Sequence, residues 1–415
     1  MTAITLKQIS IYPIKSTAGI HLSNSWVDTL GLSFDRRFVL TDLQGRFITA
    51  RTDEKLCLIQ ASLTATGLIL TAPNMPALTV EYQQLSSDYE DITLWGDTIK
   101  SQLCTENHHR WFSLYLQKPC QLMYFGEQST RTSNTNNTSE TKQALHNTEQ
   151  TAFADGYPLL LISQASLDDL NQRATNHTDH ISMSQFRPNV VVENCDAFAE
   201  DTWSRIQIGE VEFDIRKPCT RCIFTTIDPV TAKKHNNQEP LTTLKNYRQT
   251  DNGDILFGQN IVPLNKGQIK TSDEIVILEK KSPPIFSFPA SKKAEQQTSP
   301  HISEKLAPQL SLAPAPQSIT STSFTPKKKP TITFESWNKT HKGNNKETLL
   351  EQGEDAGLIL PYSCRAGMCG RCKVKLKSGE VKELANDGLT DAEQQQNYIL
   401  ICSCIPTTDV VISRA

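Results

Sequence analysis

Between residues 4 and 80 the apolar positions come in short runs broken by Gly31, Gly45, Gly67 and Pro73, and the stretch RFVLTDLQGRFITAR reads as two strands about a turn. This pattern predicts an antiparallel β unit. Residues 158–162 form an unbroken apolar run of the length of a buried strand, and Ser166 with Asp169 predicts the capped start of a helix running through Asn171. The segments NVVVEN, RIQIGEVEFDIRKP and DEIVILE add strands, so a second β-rich unit follows the first. Near the end, TITFESWNKT predicts a strand, KETLLEQGEDAG a short amphipathic helix ending at Gly357, and CKVKLKSGEV a hairpin.

Two segments interrupt these patterns. Residues 282–330 hold nine of the 21 prolines and no glycine, with hydrophobic residues too scattered to form a face, and this composition predicts a flexible linker. Residues 126–150, crowded with Ser, Thr, Asn and Gln, predict a polar, mobile surface excursion. The chain is thus expected to divide into a β domain at 1–125, the excursion at 126–150, a second β domain at 151–281, the linker at 282–330 and a terminal domain at 331–415. A length of 415 residues agrees with two or three domains at roughly 150 residues each.

Composition narrows the function by exclusion. With 42 basic and 45 acidic side chains, no global field attracts polyanions, so binding to a nucleic-acid polymer is not expected. Apolar runs fall far short of the ~20 residues of a membrane helix, and residues 1–7 lack the charged start and apolar stretch of a signal peptide. A cytoplasmic protein without membrane association is the expectation. Eleven cysteines are too sparse and odd in number for a disulfide framework, which implies a reducing compartment where clustered cysteines hold metal.

One such cluster is Cys364, Cys369 and Cys372, followed after 29 intervening residues by Cys402. This is the plant-type [2Fe-2S] spacing, four thiolates around two irons. A zinc site is the alternative, but zinc ribbons usually offer two short pairs. Small residues between the ligands, Gly367 and Gly370 above all, allow backbone N–H groups to approach the cluster sulfides. Cys404 competes with Cys402 as fourth ligand; Cys402 is preferred because YILICSCIP resembles the ferredoxin stretch in which the ligand lies four residues before a proline. Residues 331–415 accordingly resemble a plant-type ferredoxin, an α+β domain of the β-grasp type. Plant ferredoxins are commonly strongly acidic, whereas here 11 acidic residues meet 10 basic ones. Lys373, Lys375 and Lys377 fall on one strand face, predicting a different docking surface or an ordinary solvated face.

The second cluster, Cys219-Thr-Arg-Cys222, is by itself open to thiol redox chemistry, half a zinc site or two buried cysteines. Its surroundings are more informative. KPCTRCIFTTIDPVT, EPLTTLKNYR, DILFGQNIV and FRPNVVVENCDAFAEDTW resemble the MOSC family, which includes the molybdenum-cofactor sulfurase C-terminal domain; ISIYPIKSTAGI and FDRRFVLTDLQGRFITAR resemble the β-barrel domain that precedes MOSC. With FADGYP and the appended ferredoxin, the chain resembles bacterial YcbX-type MOSC-domain proteins, relatives of the mitochondrial amidoxime-reducing component. The implied architecture is mainly β with some α: an N-terminal β-barrel domain, a MOSC β-barrel domain, the linker and the β-grasp ferredoxin.

The same resemblance implies a molybdenum cofactor with Cys222 as the metal's protein thiolate, Cys219 being second choice. Arg221 would stabilise that thiolate, while Lys15, Ser16, Arg37 and Arg187 match positions that hold the anionic pterin phosphate, and Asn189 and Thr220 would add hydrogen bonds. Asp155 matches an acidic position near the metal; a carboxyl with a pKa raised by burial could act as general acid, although a structural cap is the other reading. Gly156 and Tyr157 stand where mitochondrial relatives carry hydroxyl residues. The implied activity is reduction of small N-hydroxylated compounds (hydroxylaminopurines, hydroxylamines, amidoximes), with electrons passing from a flavin-containing NAD(P)H reductase through one [2Fe-2S] cluster to molybdenum. A molybdenum-cofactor carrier or sulfuration protein is the alternative, but it leaves the attached electron relay without a purpose. A fused oxygenase reductase would need flavin and nicotinamide motifs that the sequence lacks.

Overall fold

The computed structural model describes residues 3–132, 150–174, 180–287, 329–362, 365, 367, 369–386 and 388–415. Most of the polar excursion and of the proline-rich linker, together with Cys364, lies outside the described residues. The body is organised on an eight-stranded sheet in the order Ile275–Lys280, Trp203–Ile208, Val211–Thr220, Leu256–Pro263, Leu159–Ser163, Val190–Glu193, Thr5–Ile11, Ile20–Leu22. All neighbours run antiparallel except Leu159–Ser163 with Val190–Glu193, whose connection carries the helix Gln164–Arg173.

The unbroken apolar run of Leu159–Ser163 has a direct cause. Leu159 and Leu161 pack into a cluster with Ile9, Val190, Phe213 and Ile261, whereas Leu160 and Ile162 face a second cluster with Leu167, Leu244 and Phe257. A strand covered on both faces has no position for a polar side chain. The following helix is capped three residues before the expected cap, because Ser163 is its N-cap and accepts from the Ser166 N–H at 3.0 Å.

The first strand, Thr5–Ile11, pairs with Val190–Glu193, and Asn24–Asp28 pairs with Gly267–Lys270. The two β segments separated in sequence by the polar excursion therefore share one core. Other N-terminal strands form a four-stranded antiparallel sheet and a three-stranded meander that pack with the helix Glu106–Leu116. A buried ion pair ties the sheet to the helix Leu241–Arg248: Arg248 Nη1 lies 2.7 Å from Asp201 Oδ2, and Gln259 Nε2 donates to Asp201 Oδ1 at 2.6 Å. Asp201→Ala would strand that guanidinium without its carboxylate, so unfolding in urea is expected to show a loss of about 3–5 kcal/mol.

The terminal domain has a five-stranded sheet in the order Lys339–Lys342, Thr331–Phe334, Val410–Arg414, Lys373–Ser378, Tyr398–Leu400, with the helix Leu349–Asp355 on its core. Thr348 caps this helix through a reciprocal bond with Glu351, and Gly357 adopts φ +80° just beyond it. The expected hairpin in CKVKLKSGEV does not form. Lys373–Ser378 pairs with Tyr398–Leu400 and Val410–Arg414, while Val381–Glu383 pairs with Cys404–Pro406. Lys373–Ser378 instead lies between two strands that bring Ile399, Leu400, Val410 and Ile412 into the core shared with Val374. Lys373 and Lys375 flank the Tyr398 ring, and Lys373 also pairs with Glu393, so this lysine row is partly engaged within the domain. Among the described residues no helix is long and apolar enough to cross a membrane.

Candidate functional site

The strand Val211–Thr220 delivers Thr220 and then Arg221 and Cys222 to the floor of a pocket, where Cys222 caps the short helical turn Ile223–Thr226. Lys15 and Ser16 reach the same pocket from the loop after the first strand, Ser16 in a left-handed turn at φ 72°. Arg187 arrives from the end of Met183–Phe186, also left-handed at φ 55°, and Asn189 and Asp155 complete the expected residues on the wall.

Arg37 is not among the lining residues. It turns to Asp28, 3.3 Å away, and its neighbour Arg36 enters the pocket instead, because side chains alternate as the chain runs into the strand Phe38–Thr41. The side chain of Asn189 is spent within the protein. Its Oδ1 accepts from Arg36 Nη1 at 2.8 Å and from the Leu160 N–H, and its Nδ2 donates to the Ser10 carbonyl.

Arg221 is buried, but its guanidinium turns from the sulfur to donate to the carbonyls of Phe257 and Phe186, at 2.7 and 3.2 Å. The cation at the thiol is Arg51, whose Nε and Nη2 both lie 3.4 Å from Cys222 Sγ. Arg51 also lies 3.7 Å from Asp155 and over the Trp95 ring at 4.4 Å. Trp95 Nε1 donates to Asp155 at 3.2 Å. Arg36, Arg51 and Trp95 carry no local mark in the sequence; Arg51 is 171 positions from Cys222. Within FITAR, Arg51 stands only as the end of an expected strand.

Lys15, Arg36, Arg51, Arg187 and Arg221 line this pocket with one carboxylate, Asp155, and Arg36 is also paired at 2.6 Å with the buried Asp35, so five cations meet two carboxylates. Such an excess of buried positive charge is costly unless an anion answers it. Burial, followed by the charge of Arg36, lowers Arg187 to about 10. Arg187 and Arg36 both stack on Tyr12, at 4.1 and 4.3 Å. Arg221 Nη2 is buried without a hydrogen-bond partner. Cys219 is pushed up by burial more than Arg221 pulls it down, which marks it as a protonated neighbour.

Asp155 corrects the expectation of a carboxyl kept protonated by burial. Burial alone would push it up, but Lys15, which donates to its Oδ1, and Arg51 hold it well below the usual carboxylate range. With 64% of its side-chain surface open to the pocket, water screens part of that attraction without reversing its sign. Lys15 Nζ also donates to the Phe153 carbonyl at 2.8 Å, and burial lowers it to about 8 despite the pull of Asp155. Its folded-state value lies below the ordinary 10.5, so the charged lysine costs stability below about pH 8 and that cost fades between about pH 8 and 10.5. Anion affinity has the opposite trend. Calorimetric titration with inorganic pyrophosphate is expected to weaken by about tenfold as pH rises through about 8, and Lys15→Met to flatten this dependence.

In the terminal domain, Cys369, Cys372 and Cys402 are described, whereas Cys364 lies outside the described residues. The Gly367 N–H donates to Cys402 Sγ at 3.3 Å, the kind of contact that tunes a metal-bound thiolate. Gly367 and Gly370 have φ of +72° and +74°, and a Cβ on Gly367 would stand 2.6 Å from the Ala385 carbonyl. Cys404 sits in the core, its thiol pushed up to about 12 by burial. No three His, Cys, Asp or Glu side chains among the described residues gather around one point. A cluster in which four thiolates serve two irons does not require such a triple.

Family models match in the order of these domains: the MOSC N-terminal beta barrel domain over residues 3–119, the MOSC domain over 148–276 and the 2Fe-2S iron-sulfur cluster binding domain over 335–407. Mitochondrial amidoxime-reducing component 1 of Mus musculus is 32% identical over 287 residues, which cover 66% of this chain and 82% of that protein. Mitochondrial amidoxime reducing component 2 of Rattus norvegicus is 34% identical over 283 residues, 65% of this chain and 82% of that protein. Among solved structures, a ferredoxin reductase in carbazole 1,9a-dioxygenase matches at 30% identity over 21% of this chain and 27% of that chain, with a TM-score of 0.20. The chain therefore belongs to the MOSC-domain family that includes the mitochondrial amidoxime-reducing components, and it carries a 2Fe-2S iron-sulfur cluster binding domain after the MOSC domain.

Proposed function

We propose that the protein is a molybdenum-cofactor-dependent reductase of small N-hydroxylated compounds, supplied with electrons by a flavin-containing NAD(P)H reductase through its own [2Fe-2S] cluster. The observation that carries this reading is the convergence of five cations and two cysteines, Cys219 and Cys222, on a single pocket, with Arg221 Nη2 buried and unpartnered. An anionic pterin phosphate would answer the charge, and Cys222 offers the soft sulfur that molybdenum favours. When bound, the cofactor would supply the two-electron redox chemistry that side chains lack.

The chain's own residues divide the remaining work. Arg36, Arg187 and Arg221 hold the anionic group, and Arg51 keeps a positive charge against Cys222 Sγ. Cleaving an N–O bond takes two electrons and two protons: R–NHOH becomes R–NH2 and water. In the Lys15–Asp155 pair the proton resides on Lys15 Nζ, with Asp155 as its acceptor, so a proton would leave toward the substrate from the lysine. Arg51→Met removes the charge-assisted contact to the sulfur, and steady-state turnover is expected to fall about 10- to 100-fold.

Purified protein given a reduced viologen and an aromatic amidoxime should form the amidine, with about two irons and one molybdenum per chain by metal analysis. Molybdenum-loaded protein that converts no N-hydroxylated substrate would favour the carrier reading.

A further inference from the structure

We propose that the face formed by Arg46, Trp95 and Gly253 is the seat on which the iron–sulfur domain of this same chain docks to deliver electrons. The proposal rests on the reductase reading above and adds the surface on which transfer occurs.

Three contacts define the seat. At one edge Arg46 Nη1 meets Asp355 Oδ2, at the end of the helix Leu349–Asp355, at 2.5 Å. In the middle the Trp95 ring lies between two guanidiniums, Arg51 at 4.4 Å on the pocket side and Arg365 at 4.7 Å on the side of the cysteine loop. Arg365 is positioned for this by Glu354 and by stacking on Tyr362 at 3.8 Å. At the other edge the cysteine loop itself touches the body. A Cβ on Gly253 would lie 2.3 Å from the Cys369 carbonyl oxygen, so only glycine admits this approach, and the residue's φ of +87° also favours glycine. Cys369 packs against the apolar cluster that includes Ile255 and Phe257, against which Cys219 and Ile223 also pack.

These contacts place the cysteine loop next to the pocket wall. Two residues after Gly253, the Ile255 carbonyl accepts from the Arg221 N–H at 2.8 Å, and Arg221 precedes Cys222. On the other side Trp95 bridges Arg365 to the guanidinium that touches Cys222 Sγ. Both routes from the loop to the thiol are short and packed. The seat is also weak by design of its parts, since an exposed ion pair such as Arg46 with Asp355 contributes about fivefold at most. A tethered domain does not need more, because a linker raises its local concentration to the order of millimolar. A weak seat lets the domain leave to meet an external reductase.

The test uses the full chain with its cluster assembled. Small-angle scattering measures compactness, and the visible absorbance of the dithionite-reduced cluster, followed after adding an N-hydroxylated substrate, measures electron departure. Arg46→Glu should enlarge the radius of gyration and slow reoxidation about fivefold, the worth of such a pair. Gly253→Val should do both more strongly, while reduction of the cluster by dithionite keeps its rate. Pairing Arg46→Glu with Asp355→Arg should restore compactness and reoxidation, a rescue that also separates lost docking from faulty folding. Variants that leave scattering and reoxidation at wild-type values would overturn the seat. A compact wild-type protein, expanded by Arg46→Glu, whose cluster is never reoxidised by substrate would support the seat as a contact and overturn the reductase reading.

Discussion

Cys222→Ser is expected to bring substrate reduction to background and to leave the visible absorption of the iron–sulfur domain intact. The sulfur at position 222 receives two N–H groups from Arg51 and faces the pocket in which the other cations converge. A serine hydroxyl keeps the size but is a hard, protonated ligand poorly matched to a soft metal. Cys219 offers no substitute, because burial keeps its thiol protonated. Since loss of even an outer partner of a metal ligand costs 10- to 100-fold, loss of the ligand itself should exceed about 100-fold. Metal analysis should show the molybdenum falling away while the iron content remains. Turnover by Cys222→Ser at the level of the parent protein would remove this cysteine from the chemistry, and Cys219→Ser with retained activity is the matching control.

The second large effect separates two cysteines only two positions apart. Cys402→Ser should bleach the visible spectrum of the terminal domain and lower its melting temperature, because cluster binding and folding of such a domain draw on the same free energy. Cys404→Ser should keep the spectrum. Cys402 Sγ accepts from the Gly367 N–H in the cysteine loop. Cys404 instead belongs to the strand Cys404–Pro406, paired with Val381–Glu383, and its thiol is pushed up to about 12 by burial. The opposite result, with the spectrum lost only in Cys404→Ser, would reassign the fourth ligand.

Legibility in the sequence followed the range of the interactions concerned. The strands Trp203–Ile208 and Val211–Thr220 are legible as strands because their apolar positions alternate on either side of a Gly-Glu turn. Lys373–Ser378 looked equally like half a hairpin, yet its partners come from residues 398–400 and 410–414, whose apolar faces close the domain's core. The charge on Asp155 escapes the sequence for a related reason. Burial could be guessed from the neighbouring apolar run, but the two cations that outweigh it arrive from positions 15 and 51. Arg37 is the candidate in the sequence, and only the path of the chain into the next strand shows that its neighbour Arg36 enters the pocket instead.

By itself the sequence determined the domain order, the mainly β character and the cysteine spacing of the iron–sulfur loop, because periodicity and ligand spacing are properties of a few consecutive residues. Tertiary structure alone decided that the first strand completes the second domain's sheet, that Arg51 rather than Arg221 meets the Cys222 sulfur, and that Asp155 is held as a carboxylate. Each of these depends on charges and apolar faces brought together from distant parts of the chain. Coulomb attraction and burial act through space, and no local pattern records which remote side chain will fill the gap.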